Sequence, residues 1–174
     1  MSNEEFLFKE EIAGTEAPVA ANTAAPWQVL VVDDDDSIHQ ITALVLNNFE
    51  FEHRPLQLLH AHSAAEAEQI IASHDDIALA IIDVVMETQH AGLQLVKTIR
   101  QQLKNQRMRL ILRTGQPGEA PEEHVIRDYD INDYKNKTEV TAIKLKTLLY
   151  AGLRSYRDIC IIENNKKGCA FAQP

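Results

Sequence analysis

IALAIIDVVMETQHAGL, residues 77–93, decides how this chain folds. Its first six residues are apolar, Asp83 follows, and apolar residues resume at once. A short apolar run without alternation reads as a strand buried on both faces. An ionised carboxylate at the end of such a strand is costly unless a cation or a set of donors holds its charge. Asp83 therefore needs a partner from elsewhere in the chain or from solution.

Outward from this stretch the pattern alternates. QVLVV (28–32), LQLLHAH (56–62), MRLILR (108–113) and the weaker INDYK (131–135) are four further predicted strands. Ser37 is placed to cap a helix with Ile38, Ile41, Leu44, Val45 and Phe49 at helical spacing. Ser63 and Glu66 form a capping box that opens a helix with Ala64, Ala67, Ile70 and Ile71 on one face. Gly92 begins a helix with Leu93, Val96, Ile99 and Leu103 inward. A turn-rich segment, 114–130, holds a short helix near 122–127, and a long helix runs over 138–162. Five strands alternating with five helices give an α/β fold: a doubly wound, five-stranded parallel sheet with helices on both faces and an extended C-terminal helix.

The 174 residues carry a formal net charge of −9, which disfavours non-specific nucleic-acid binding. No apolar run reaches the roughly 18 residues needed to cross a bilayer. The start, MSNEEFLFKEE, is acidic where a secretory signal would be basic. Cys160 and Cys169 form neither a disulfide framework nor a metal pattern. The expected setting is cytoplasmic. Three regions are expected: a tail and Ala/Pro-rich linker at 1–26, a domain at 27–150 and a helical extension at 151–174. Phe6, Leu7 and Phe8 in the tail are either disordered or docked on the domain or a partner.

In a parallel α/β sheet, ligands bind outside the carboxyl ends of the strands. The residues there are Asp33 and Asp34, Asp83, Thr114 and Lys137, with His62 and Ser63 after the second strand. Three clustered carboxylates repel unless a cation sits among them, and all-oxygen ligation suits Mg²⁺, for which Mn²⁺ can substitute. With the ion bound, Asp83 can stay ionised and act as a nucleophile toward phosphorus. Lys137 supplies positive charge and the Thr114 hydroxyl a hydrogen bond.

The segments VLVVDDDD (29–36), IIDVVM (81–86), LILRTG (110–115) and INDYKNK (131–137), in this order and spacing, resemble the receiver domain of bacterial two-component response regulators, a flavodoxin-like fold. The resemblance implies that Asp83 is the phospho-acceptor, charged by a sensor histidine kinase or a histidine phosphotransfer protein. It implies Asp33, Asp34, Asp83 and the Val85 carbonyl as Mg²⁺ ligands. It further implies Thr114 and Tyr134 as a switch pair that repacks the face of the fourth helix, fifth strand and fifth helix. Two positions depart from the family pattern. Glu87 stands where proline is common, in a lengthened loop METQHAG, and Thr138 follows Lys137 where proline is usual, so that peptide bond is expected to be trans. The whole string is similar to a subgroup in which the receiver precedes an HD-GYP cyclic-dinucleotide phosphodiesterase or another signalling output. This chain shows no such output, and is read as a switch rather than an enzyme.

Other residues carry plainer readings. Asp35 and Asp36 read as solvated charges at a helix start, where negative charge is favourable. His60 and His62 share a strand face and read as surface or interface histidines, His90 as a loop residue near the acceptor. Arg113 reads as half of a surface ion pair, and Lys135 and Lys146 as solvated. TGQPG is a turn, not a nucleotide loop. Leu149, Leu153, Tyr156 and Cys160 form a seam at heptad-like spacing that either lies on the domain itself or pairs with a second copy, giving a homodimer. Two rival functions stay open. One is a degenerate receiver acting without phosphorylation. The other is an aspartyl-nucleophile phosphatase, whose general acid would have to stand at Val85, a residue that carries no proton.

Overall fold

Every residue of Ile77–Asp83 is buried, and this strand stands inside a sheet rather than at its edge. The computed structural model describes residues 25–115, 131–136 and 141–170, of which 134–136 and 167–170 are described by backbone alone. In chain order the elements are β1 (Trp27–Val32), α1 (Asp36–Leu46), β2 (Glu50–Phe51), β3 (Arg54–Ala61), α2 (Ala64–Ser73), β4 (Ile77–Asp83), α3 (Ala91–Lys97), β5 (Arg109–Thr114), β6 (Asp133–Asn136) and α4 (Ala142–Ala170). After Lys97 one turn widens over Thr98–Gln102, where Leu103 N donates to Thr98 O at 2.9 Å. The expected helix near 122–127, together with Lys137 and Thr138, lies outside the described residues.

The sheet order is β2-β3-β1-β4-β5-β6. β1 pairs in parallel with both β3 and β4, β4 with β5, and β5 with β6. This is the doubly wound parallel arrangement expected, with one addition. β2 is a two-residue antiparallel strand on the outer edge of β3. Its turn places Glu52 and His53 at φ 53° and 59°, the left-handed pair of a tight hairpin usually signalled by Asn-Gly. With Glu-His at those positions the sequence gives no such signal.

Both sheet faces are covered, which explains the unbroken apolar runs. Leu30, Val32, Ala80, Ile82, Leu110 and Leu112 face α2 and α3, meeting Ala67, Ile71, Leu93, Val96 and Ile99. Val29, Leu79, Ile81 and Ile111 face α1 and α4, meeting Leu46, Leu145, Leu149 and Leu153. Three helical positions differ from expectation. Leu103 is exposed, and on α1 Ile41 and Leu44 are 55% and 76% exposed. His39 and Thr42 take the buried face of α1 instead. The cap of α1 is Asp35, whose Oδ1 accepts from Ser37 N at 2.8 Å, so Ser37 lies inside the helix.

α4 runs 29 residues and packs on the sheet well past residue 150. Leu149 and Leu153 are wholly buried, Tyr156 stands edge-on to Trp27 at 6.3 Å, and Cys160 packs on the same cluster. Gly152 presses against Leu79, where a Cβ would come within 2.3 Å of Leu79 Cδ1. The heptad-like seam is therefore used within the domain and is not open to a second copy. Burial of Tyr156 and its contact with Cys160 push the phenol up to about 12, so it stays neutral. Among the described residues no helix is long and apolar enough to cross a membrane. Since Leu153 is sealed between α4 and β4, Leu153→Ala is expected to lower the unfolding free energy by roughly 2–5 kcal/mol, measured by urea denaturation. A cost below about 1 kcal/mol would show that α4 is only loosely docked.

Candidate functional site

Parallel pairing aligns Val32 of β1 with Ile82 of β4, so the next residues, Asp33 and Asp83, emerge side by side at the carboxyl ends of the two strands. The winding direction reverses between these strands, which makes this crevice the topological switch point. Asp33, Asp34 and Asp83 converge here, with one carboxylate oxygen from each lying within 4.8 Å of the others. Asp33 and Asp83 are 1% and 3% exposed, and Asp34 faces solvent. Two buried acids and one open acid suit a hard cation that enters from solution and keeps some of its waters.

Thr114 ends β5 and is buried; on the next strand Asp83 lies level with Arg113, one residue before it. Tyr134 lies in β6 with its backbone paired to Leu112. Lys137 lies outside the described residues. Val85 follows Asp83 in a pinned segment: Val84 N donates to Arg113 O at 2.9 Å, and Gly92 N donates to Val84 O at 3.1 Å. Gly92 is required by this approach, because a Cβ there would sit 1.9 Å from the Asp83 carbonyl oxygen. The lengthened loop is held at its middle as well. Glu87 Oε1 accepts from Ala64 N at 2.8 Å, at the start of α2, where Ser63 Oγ accepts from Glu66 N at 3.2 Å. His90 precedes α3, exposed, without capping it through its side chain.

Three features were not legible as site residues. Arg113 is buried rather than at the surface, and its Nη2 lies 3.6 Å from Asp33 Oδ2. His39 and His60 form a pair with Nδ1 to Nδ1 at 2.9 Å, and His39 Nε2 meets the Asp33 carbonyl oxygen at 2.8 Å. A carbonyl only accepts, so His39 Nε2 carries the proton, its Nδ1 accepts, and His60 Nδ1 donates. His62 lies against the His39 ring, with centroids 4.3 Å apart, and pairs with Asp36 at 3.3 Å. The strand histidines thus form a layer beneath the acidic crevice. Asp35 is a helix cap and Asp36 a neighbour of the His62 ring. The signal for this layer was the i, i+2 pair His60 and His62, which lacked a third member until α1 folded over it.

No family model matches the chain. It is 54% identical over 160 residues to the 3′3′-cGAMP-specific phosphodiesterase 2 of Vibrio cholerae serotype O1, an alignment covering 92% of this chain and 31% of that protein. The chain thus spans about a third of the curated relative it matches. The fold matches the signal receiver domain of an HD domain-containing protein from Pseudomonas fluorescens with a TM-score of 0.65 and 25% identity, over 76% of this chain and 98% of that one. It matches a response regulator receiver domain protein from Clostridium thermocellum with a TM-score of 0.63 and 22% identity, again over 76% and 98%. The chain has the fold of response-regulator receiver domains. In this fold the strand ends carrying Asp33, Asp83 and Thr114 meet at one rim of the sheet.

Burial, then the neighbouring His39 and His62, hold the proton affinity of His60 below the ordinary imidazole value. As pH falls the unfolded chain protonates at this position first. The stability contributed by the neutral ring is therefore complete above the ordinary value and is lost as pH falls through the depressed one. The melting temperature should drop less between about pH 7.5 and 5.5 in His60→Gln than in the wild type. Equal drops would show that the histidine layer does not sense protons.

Proposed function

We propose that this receiver accepts a phosphoryl group on Asp83 from the phosphohistidine of a sensor kinase or phosphotransfer protein, in a Mg²⁺-dependent reaction. The observation that carries this reading is the convergence of Asp33, Asp34 and Asp83 within 4.8 Å at the switch point of the sheet. A carboxylate oxygen of Asp83 attacks phosphorus as the P–N bond to the donor imidazole breaks, and the imidazole takes up a proton. Asp33 and Asp34, with the Val85 carbonyl, are the groups that would hold Mg²⁺ beside Asp83. The ion, when bound, neutralises the carboxylates and the phosphoryl oxygens. Thr114, at the end of β5, supplies a hydroxyl to the phosphoryl group, and Lys137 is assigned its counter-charge. Tyr134 is assigned as the aromatic partner of Thr114 in the switch.

The relative's name describes a phosphodiesterase acting on a cyclic dinucleotide, and the chain covers only 31% of that protein. On this basis the receiver controls cyclic-dinucleotide turnover by an output carried in a longer cytoplasmic protein. The seam of α4 is committed to its own sheet, so a homodimer would form through other faces of that helix, where Ile161 and Ile162 are exposed.

Acetyl phosphate with Mg²⁺ should add one phosphoryl group by intact mass, and Asp83→Asn should abolish the gain while leaving the melting temperature within a few degrees. Continued acid-labile labelling of Asp83→Asn would overturn the assignment. Removing the exposed acid by Asp34→Ala should weaken Mg²⁺ binding and raise the melting temperature in chelator, because one of three crowded like charges is gone. A lower metal-free melting temperature would contradict that account.

A further inference from the structure

Arg113 belongs to β5 but reaches past β4 to Asp33, at the end of β1. Its side chain is 8% exposed and the Asp33 side chain 2%, so their 3.6 Å contact is a buried ion pair, not one screened by solvent. The Arg113 Nε is buried and has no hydrogen-bond partner among the described residues. The guanidinium is thus held by charge more than by a completed set of hydrogen bonds. It also borders a cavity of about 240 Å³ between α1 and the start of α4, lined by Thr42, Val45, Thr141 and Leu145 among others.

We infer that Arg113 is a built-in counter-cation that occupies the acidic crevice electrostatically in the metal-free receiver and competes with the divalent ion. The inference rests on the metal reading proposed above. A fixed positive charge beside Asp33 stabilises the three carboxylates while no ion is present, and repels the ion on arrival. Arg113 sets the cation affinity of the site, and so the ion concentration at which Asp83 becomes a competent acceptor. Arg113 acts through Asp33 and is a positioning residue.

The two halves of this role predict opposite shifts. In Arg113→Met the metal-free melting temperature, read in chelator, should fall, while Mg²⁺ affinity, read by calorimetric titration with magnesium chloride, should tighten about tenfold. Arg113→Lys keeps the charge and should stay within about threefold of the wild type in affinity. A residue of purely structural value would lower stability and weaken the ion together. Should Arg113→Met not fold in chelator, Arg113→Gln is titrated in its place under the same expectation. Unchanged or weaker Mg²⁺ binding in the neutral variants overturns the inference while the metal reading stands. A wild-type chain that binds no Mg²⁺ overturns the metal reading, and the inference with it.

Discussion

Like charge crowded at the end of a buried strand pair is the constraint around which this molecule is arranged. Two parallel strands in register deliver Asp33 and Asp83 to the same rim, and Asp34 adds a third carboxylate within 4.8 Å. Carboxylates this close and this buried repel strongly. The surroundings answer that repulsion locally: Asp35 N donates to Asp33 Oδ1 at 3.1 Å, and Arg113 brings a buried positive charge to Oδ2.

The second layer of the crevice comes from elements that look unrelated in sequence. His39 holds the Asp33 carbonyl from α1 and meets His60 from β3, so the helix turns its polar side to the sheet near the site. This explains why Ile41 and Leu44 lie outward on a helix whose apolar spacing predicts the reverse. Glu87 ties the loop after Asp83 to the first turn of α2, and Gly92 lets α3 begin against the Asp83 carbonyl. Where proline is common in the family, a carboxylate fixes the loop by a hydrogen bond instead.

On the sheet face shared with α1, α4 closes the core. Its apolar side runs from Leu145 through Tyr156, and Trp27 at the start of β1 receives it. Arg157 reaches Glu52 in the β2–β3 turn, joining this helix to the added edge strand. The packing surface is thus longer than a boundary at residue 150 implies.

By itself the sequence determined the alternation of strands and helices, the parallel sheet, and the set of acids at the strand ends. Those follow from local periodicity and from the cost of charge beside apolar residues, both of which operate within a few neighbouring positions. Only the tertiary structure decided which face of α1 is buried, that Arg113 lies inside, that three histidines meet, and that the α4 seam is spent on its own domain. Each of these depends on two elements distant in the chain docking at one angle and register. Side-chain spacing along either element alone carries no record of the other.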